Sequence, residues 1–170
     1  FDSHRLSFQS EHFLLMELDR LVSAGITTVY CTGNHDPGSL RTTRRAIPWP
    51  KGLHFVDGAD PVVIEVENED GQAVGTITTA GHETDREEND LASTFPTPTG
   101  DLPRVAVLHA QVDRSRTAAS HERYAPCSLD TLRESGFDYW ALGHIHQREV
   151  LSDLPGVCYP GNLQGRSPRE

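Results

Sequence analysis

The chain has 170 residues, of which 36% are hydrophobic and 24% are charged, and its formal net charge is −10. This length predicts one domain with a buried core, and this composition excludes a coiled coil, a collagen-like fibre and a disordered tail. No apolar run is long enough to span a bilayer, and the acidic balance disfavours a basic module that wraps nucleic acid.

The first half of the chain predicts one amphipathic helix followed by short strands. Apolar residues recur at three- and four-residue spacing between Ser10, the expected N-cap, and Gly25, which is expected to end the helix. A β-rich run at 26–31 leads into a turn-rich loop at 33–38. Three further strands are predicted at 53–56, 62–66 and 73–79, the last two forming a hairpin.

The second half mixes helices and strands in the same way. A short helix is predicted at 86–95 and a Pro- and Thr-rich loop at 94–103. A second helix is expected at 128–135, with Ser128 as its N-cap and Gly136 as its end. Three more strands are predicted at 104–108, 139–142 and 157–159. The whole pattern predicts an α/β fold.

Histidine or asparagine follows an apolar strand at three places. Asn34 and His35 follow the first predicted strand, His109 ends a later one, and His144 and His146 follow a third. Because ligands bind at the carboxyl ends of strands in α/β sheets, these residues are expected to meet at one sheet edge. On an extended segment, His144 and His146 would face the same side.

Each of these signals also has an ordinary structural interpretation. A His-x-His pair arises by chance on surface strands, and His109 alone fits a hydrogen-bonded, half-buried histidine. The run Asn34-His35-Asp36 offers an oxygen ligand, a general acid or oxyanion donor, and a carboxylate that can hold the histidine tautomer. A turn uses Asn, Asp, Pro and Gly for backbone reasons alone. The occurrence of all three signals at strand ends favours a site.

Nine histidines stand against only three cysteines, and the cysteines show no Cys-x-x-Cys spacing. This usage disfavours a disulfide framework and a Cys-rich zinc site, and it favours a reducing, cytoplasmic location. A metal site in this chain therefore has to use imidazole together with carboxylate or amide oxygens. Cys127 has no activating neighbour in the sequence and is expected to be packed.

Three motifs together resemble those of the calcineurin-like metallophosphoesterases: Gly33-Asn34-His35-Asp36, His109 after an apolar strand, and Gly143-His144-Ile145-His146. A finer resemblance is to the bacterial DNA repair exonuclease branch, which is related to the nuclease subunit of the double-strand-break repair complex. It rests on Tyr124–Cys127, Asp138–Gln147 and Tyr159–Arg166. The resemblance covers nearly the whole chain. It implies an α/β fold built as a two-sheet β-sandwich flanked by helices, with the N-terminal strands of that fold missing.

The resemblance also implies a role for each matching residue. Three residues would hold the second metal ion: Asn34, His109 and His144. His146 would contribute to the first metal ion, His35 would be the catalytic histidine, and Asp36 would orient His35. The branch implies two Mn²⁺ ions, and the ligand chemistry leaves Fe and Zn²⁺ as alternatives. Because metal ligation requires neutral imidazoles, activity is expected to fall as the pH drops below the histidine range.

The family's first motif, DxH, and the bridging aspartate of its GD motif are absent from the sequence. Phe1-Asp2 resembles the end of the family's GDxFD motif, and the segment 166–170 stops where the family continues. Residues 1–170 are therefore expected to be one calcineurin-like phosphoesterase domain truncated at both ends, with one metal site incomplete. Such a fragment is expected to bind at most one metal weakly and to lack turnover.

Two further sets of residues have competing interpretations. Arg41, Arg44 and Arg45 follow the GNHD loop and either contact substrate phosphates or form a solvated helix face. His82 follows an apolar strand and either lines the cleft or has a role other than metal ligation, which is favoured because the ligand positions of the family are filled by other residues.

The sequence thus predicts metal-dependent phosphodiester hydrolysis by a two-metal activated hydroxide, with DNA as the substrate of an exonuclease in DNA repair. One alternative is a phosphoesterase acting on small nucleotides or phosphoproteins. Another is a catalytically inactive, phosphoesterase-like binding scaffold. The family resemblance adds a homodimer and an ATPase as expected partners, and no membrane is expected to take part.

Overall fold

The computed structural model describes residues 8–39, 47–117 and 122–162. These residues form two α-helices and eight strands, namely α1 (Phe8–Ser23), β1 (Val29–Cys31), β2 (His54–Val56), β3 (Val62–Glu67), β4 (Ala73–Thr79), β5 (Arg104–His109), α2 (Leu129–Glu134), β6 (Tyr139–Gly143), β7 (Glu149–Ser152) and β8 (Gly156–Tyr159). Neither helix combines the length and the hydropathy that a bilayer crossing requires.

The strands form two sheets. β1 and β2 pair in parallel, and the other six strands form a sheet in the order β3-β4-β5-β6-β8-β7. Strands β4, β5, β6 and β8 run parallel, and β3 and β7 are antiparallel edge strands. The predicted α/β class with two sheets and helices is confirmed. The parallel arrangement matters for function because it brings the carboxyl ends of β5 and β6 to the same edge.

The sequence predicted the C-terminal end of helix α1 but not its N-terminal end. It begins at Phe8, so the prediction that Ser10 is its N-cap is wrong, and Ser10 lies in the first turn. At the other end Gly25 adopts a φ of 75°, and the N–H of Ile26 donates to the Leu21 carbonyl at 3.1 Å. This is the Schellman ending, in which glycine takes the left-handed conformation without steric cost. The predicted end of the helix is confirmed.

The predicted helix at 86–95 is wrong, since only Ala92–Thr94 forms a single 3₁₀ turn there. Buried Glu87 accepts hydrogen bonds from the backbone N–H and the side-chain amide of Asn89, at 3.1 and 2.8 Å. Such local side-chain bonds compete with helix formation. Strand β7 was not predicted. Its first residue, Glu149, is charged and would be expected on the surface, but its side chain is buried.

The predicted second helix is confirmed within a residue at each end. Ser128 is the N-cap of α2, and its hydroxyl oxygen accepts the N–H of Thr131 at 2.9 Å. Gly136 follows the helix with a φ of 87°. The β3–β4 hairpin is also confirmed, with Gly71 at a φ of 73° in its turn.

The hydrophobic core packs α2 and the loops before it against the large sheet. Trp140 on β6 and Leu132 on α2 are fully buried, and the indole N–H of Trp140 donates to the Leu132 carbonyl at 3.1 Å. Tyr159 on β8 is buried as well, and its hydroxyl donates to the Ala110 carbonyl at 2.8 Å. These contacts hold β5, β6 and β8 in place, and the candidate site lies where β5 and β6 end.

Candidate metal centre

A cavity of about 540 Å³ opens where β1, β5 and β6 end. Six residues that the sequence predicted for the site line it: Asn34, His35, Asp36, His109, His144 and His146. The structure therefore brings together residues that lie more than a hundred positions apart. They come from both sheets, however, because the 34–36 loop follows β1 of the small sheet. The expectation of a single sheet edge is wrong in that respect.

Three arginines that the sequence suggested as phosphate contacts, Arg41, Arg44 and Arg45, lie outside the described residues. Phe1-Asp2 and Arg166 also lie outside them. The prediction for the three arginines stays a prediction.

The loop after β1 is folded by Asp36. One carboxylate oxygen of Asp36 accepts the N–H of Gly33 at 2.8 Å, and the other accepts the hydroxyl of Tyr30 at 2.5 Å. Burial raises the pKa of Tyr30, and the charge of Asp36 and the hydrogen bond to it raise the pKa further, so the phenol stays a donor. Asp36 thus fixes the turn that carries Asn34 and His35. The prediction that Asp36 orients His35 stays a prediction.

The ring of His109 lies between two glycines. A Cβ atom added to Gly33 would come within 2.6 Å of His109 Nδ1, and one added to Gly143 would come within 2.9 Å of the same atom. Any larger residue at either position would collide with the ring. The other ring nitrogen, Nε2, lies 2.8 Å from Oδ1 of Asn34. The two glycines therefore fix which edge of the imidazole faces Asn34.

The environment of His109 keeps its imidazole neutral. Burial lowers the pKa of His109 well below its usual value, and the nearby His82, His144 and His35 lower it further. A neutral imidazole is the form that binds a metal ion, so no proton has to be displaced by the cation at neutral pH.

His144 has an unusual backbone conformation, with a φ of 94°. A side chain other than glycine is strained there, and such strain clusters at functional sites. The prediction that His144 and His146 lie on an extended segment is wrong, because the chain bends at His144 directly after β6 and residues 145–146 belong to no strand. Both side chains nevertheless line the cavity, because the bend turns the chain around it.

The orientation of the His144 ring fits metal ligation. Its Nε2 donates to the Glu122 carbonyl at 3.0 Å, so Nδ1 carries the lone pair in the neutral ring. Metal-binding histidines commonly donate their second ring N–H to a backbone carbonyl in this way. The ring centroids of His144 and His109 are 5.2 Å apart, and the edge of Tyr124 contacts His144 at a centroid distance of 5.7 Å.

His82 supports the site from behind. Its side chain is fully buried, and its Nε2 donates to the His109 carbonyl at 2.7 Å. Burial lowers the pKa of His82, so it is neutral as well. His82 does not line the cavity, which agrees with a role other than metal ligation. Cys127 is buried, and burial raises the pKa of its thiol to about 12.

The donors around the cavity fit a divalent cation, provided that the amide of Asn34 takes part. Within residues 8–39, 47–117 and 122–162, no three His, Cys, Asp or Glu side chains are arranged to hold a metal by themselves. Two ligands at right angles on an octahedral cation, each about 2.1 Å from it, are about 3 Å apart. Asn34 Oδ1 and His109 Nε2 are hydrogen-bonded at 2.8 Å in the structure, which is already close to that spacing. Asn34, His109 and His144 are therefore the candidate ligands.

Some cavity residues had no role in the sequence analysis, namely Tyr30, Glu122, Tyr124, Pro160, Gly161 and Asn162. Gly161 adopts a φ of 76°, and a Cβ atom there would lie 2.7 Å from the backbone nitrogen of Arg148. The N–H of Asn162 donates to the His146 carbonyl at 2.8 Å. The segment 160–162 thus closes the wall beside His146. Two of the motifs behind the family resemblance contain Tyr124 and residues 160–162, but their spacing gave no mechanism, and Tyr30 and Glu122 lie outside the motifs.

Comparisons with known proteins bear on the family that the chain resembles. No family model matches the chain. Over its full length the chain is 33% identical, across 171 aligned positions, to a protein of Bacillus subtilis (strain 168) described as "Uncharacterized metallophosphoesterase YhaO". The chain spans 40% of the length of that protein. This similarity supports the metallophosphoesterase superfamily that the motifs resemble, and the DNA repair exonuclease branch stays a prediction.

Proposed function

From this similarity and the cavity geometry, we propose that the chain carries a divalent metal site of a metallophosphoesterase that hydrolyses phosphodiesters, with DNA as its substrate. The observation that carries the proposal is the convergence of Asn34, His109 and His144 on one cavity, with His109 held neutral. We propose Mn²⁺ as the cation because the family resemblance implies it; the amide oxygen suits Mn²⁺, whereas the two imidazoles also suit Fe and Zn²⁺.

Each residue of the cavity then has a separate task. Asn34, His109 and His144 would hold the cation, and the chemistry it would supply is positive charge beside a phosphoryl oxygen. His35 lines the same cavity, and we propose that it donates a proton to the leaving oxygen. Asp36 fixes the turn that carries His35, and Gly33 and Gly143 keep the His109 ring in one orientation.

His146 lines the same cavity two residues after His144, and we propose that it serves a second cation. The remaining ligands of that cation would come from groups other than the cavity residues named above. Two cations on either side of a phosphate can stabilise both the attacking and the leaving oxygen. This part of the proposal follows from the family resemblance, and the presence of His146 in the cavity supports it.

The test uses metal binding and hydrolysis as separate readouts. Calorimetric titration of the chain with MnCl₂ should show one bound cation, and His109→Gln should remove it. The exposed His54 provides a matched control, and His54→Gln should bind normally. The natural protein that contains these residues should then hydrolyse bis(p-nitrophenyl) phosphate and an oligodeoxynucleotide only when Mn²⁺ is present.

The outcomes separate the alternatives. Hydrolysis of the small diester without hydrolysis of the oligonucleotide would replace the DNA substrate with small phosphoesters. Binding of Mn²⁺ by the natural protein without any hydrolysis would indicate a binding scaffold. Failure of the chain to bind Mn²⁺ would overturn the assignment of Asn34, His109 and His144.

A further inference from the structure

A second cavity, of about 430 Å³, lies beside the metal cavity. It is lined by Arg86, Glu88, Glu122, Arg123 and Tyr124. Glu122 and Tyr124 line both cavities, so the two are adjacent and share one wall. The proposed hydrolysis uses none of the charged groups of the second cavity.

The walls of this second cavity are fixed by backbone hydrogen bonds. The N–H of Ala125 donates to the Glu87 carbonyl at 2.7 Å, which connects the segment after Arg123 to the loop that carries Arg86. The side chain of Glu87 is itself buried. The Tyr124 carbonyl accepts a further backbone N–H, at 3.0 Å. The backbone segments that carry the two arginines are therefore held in place by hydrogen bonds.

The shared wall connects the arginines to the candidate metal ligand His144. The ring of His144 contacts the edge of Tyr124, and its Nε2 donates to the Glu122 carbonyl at 3.0 Å. The Tyr124 hydroxyl donates to the carboxylate of Glu122. That bond raises the pKa of Tyr124, and the neighbouring guanidinium of Arg86 opposes the rise. Arg86 is thus one side chain away from His144.

The two guanidiniums of this cavity offer hydrogen-bond donors to a phosphate. Both guanidiniums belong to exposed residues, whereas the chain as a whole has a net charge of −10. Guanidinium groups bind phosphate oxygens through paired N–H donors. The two carboxylates of the cavity, those of Glu88 and Glu122, offset the two positive charges, and that of Glu122 also accepts the Tyr124 hydroxyl. Because the two cavities share Glu122 and Tyr124, a strand longer than one nucleotide in the metal cavity would extend towards the second cavity on that side.

We propose that Arg86 and Arg123 bind a phosphate of the substrate strand that neighbours the phosphate being hydrolysed. This inference rests on the proposed function and makes it more specific. The site then takes a polynucleotide strand in preference to a mononucleotide or a small phosphodiester, because only a strand fills both cavities at once.

The first experiment measures binding without metal. Fluorescence anisotropy of a short labelled single-stranded oligodeoxynucleotide is recorded in EDTA over a range of KCl concentrations. Arg86→Gln and Arg123→Gln should each weaken binding about two- to fivefold. Each should also reduce the slope of log affinity against log salt by about 0.7. Glu88→Gln should strengthen binding, because it removes a repelling carboxylate.

The matched control is Arg20→Gln. Arg20 is an exposed arginine on α1 that pairs with Glu17 at 2.6 Å and lines neither cavity. Its replacement should leave the affinity and the salt slope unchanged. Equal losses in Arg20→Gln and Arg86→Gln would overturn the proposal, because they would reflect the net charge of the chain. Unchanged binding in both Arg86→Gln and Arg123→Gln would overturn it as well.

The second experiment measures hydrolysis by the natural protein with Mn²⁺. Arg86→Gln and Arg123→Gln should raise the KM for the oligonucleotide and leave kcat/KM for bis(p-nitrophenyl) phosphate unchanged. Equal losses for both substrates would contradict a site for a neighbouring phosphate. If the unaltered protein hydrolyses neither substrate, the proposed function fails, and the EDTA binding series still decides the role of the arginines.

Discussion

Two polar clusters in this molecule both contain buried groups, but they differ in how completely those groups are hydrogen-bonded. The first surrounds Glu149 on β7, which is 7% exposed. Its carboxylate accepts the hydroxyls of Ser115 and Thr117, at 2.6 and 2.5 Å, and the backbone N–H groups of Arg116 and Thr117, at 3.1 and 3.3 Å. Every donor lies on one loop, so the cluster fastens that loop to the sheet edge.

The second cluster surrounds His109, and its polar groups are hydrogen-bonded less completely. Nδ1 of buried His82 has no hydrogen-bond partner among the described residues, and His144 holds a strained backbone conformation. A cavity also opens beside the rings. Buried polar groups in a purely structural cluster are usually satisfied, and strain is usually avoided. This difference supports the proposal that the cluster around His109 is arranged for a ligand, whereas the cluster around Glu149 holds a loop to the sheet.

The two clusters also use burial in opposite ways. Burial alone would raise the pKa of Glu149, but the hydrogen bonds from Ser115, Thr117 and the backbone outweigh it and lower the pKa to about 2. Burial lowers the pKa of His109, and the surrounding histidines act in the same direction. Glu149 is therefore kept charged by its donors, whereas His109 is kept neutral and able to bind a cation.

The largest expected effect is the loss of metal affinity in His109→Gln. Removal of a ligand costs more than removal of its hydrogen-bond partner, so the affinity for Mn²⁺ should fall by more than about 100-fold. Calorimetric titration measures this change, and His54→Gln serves as the exposed control. Retention of the unaltered affinity in His109→Gln would mean that the cation binds elsewhere.

The next effect concerns the glycine that contacts the His109 ring. Gly33→Ala places a Cβ atom 2.6 Å from His109 Nδ1, so the ring has to move and the protein should lose about 1–3 kcal/mol of stability. The affinity for Mn²⁺ should fall as well. Gly58→Ala is the matched control, because its nearest contact is 3.9 Å away at Glu83. Equal metal affinities of the two variants would show that the ring orientation does not matter.

The cluster around Glu149 should affect stability without affecting the metal. Glu149→Gln removes the negative charge of a carboxylate that accepts four hydrogen bonds. The free energy of unfolding should therefore fall by about 1–3 kcal/mol in urea denaturation at neutral pH. The Mn²⁺ affinity of the folded variant should equal that of the unaltered chain. A large loss of metal affinity would show that the two clusters act as one functional unit, and it would contradict their assignment to separate roles.

The same carboxylate predicts part of the acid sensitivity of the fold. The folded-state pKa of about 2 lies below the value near 4.3 of an unfolded glutamate. The stabilisation is therefore present above about pH 4.3 and is lost as the pH falls towards 2, by about 2–3 kcal/mol in total. Stability curves of Glu149→Gln should be flatter than those of the unaltered chain across this window. Parallel curves would show that the carboxylate is not held in its charged form.

The smallest expected effect is that of a helix cap remote from both clusters. Ser128→Ala removes the oxygen that accepts the Thr131 N–H, and the stability should fall by about 1 kcal/mol. Thermal unfolding measures this loss. Ser128→Thr keeps an acceptor oxygen and should recover most of it. The metal affinity should not change, which separates a general loss of stability from damage to the site.

Local sequence signals predicted a large part of the fold and of the site. The end of α1 at Gly25, the cap at Ser128 and the β3–β4 hairpin all depend on residues close in sequence. The histidines at strand ends were found because an apolar strand followed by a polar ligand type is itself a local pattern. The carboxyl-end rule then placed them near one another.

Other features depend on contacts that no local pattern shows. β7 was missed because the donors that make burial of Glu149 favourable lie more than thirty residues away, on the 115–117 loop. The segment predicted as a helix at 86–95 is held by a long-range bond as well as by its local ones, because the Glu87 carbonyl accepts the N–H of Ala125 at 2.7 Å. The roles of Glu122 and Tyr124 follow from their contact with His144 across the cavity. Long-range pairing therefore decides the features that the sequence left open.

The most direct test of the central claim is the position of the cation itself. Crystals of the chain soaked in MnCl₂ should give one anomalous-scattering peak within ligand distance of Asn34 Oδ1, His109 Nε2 and His144 Nδ1. The peak should be absent from crystals of His109→Gln treated in the same way. A map without a peak in this cavity, or with its strongest peak away from these three atoms, would contradict the account.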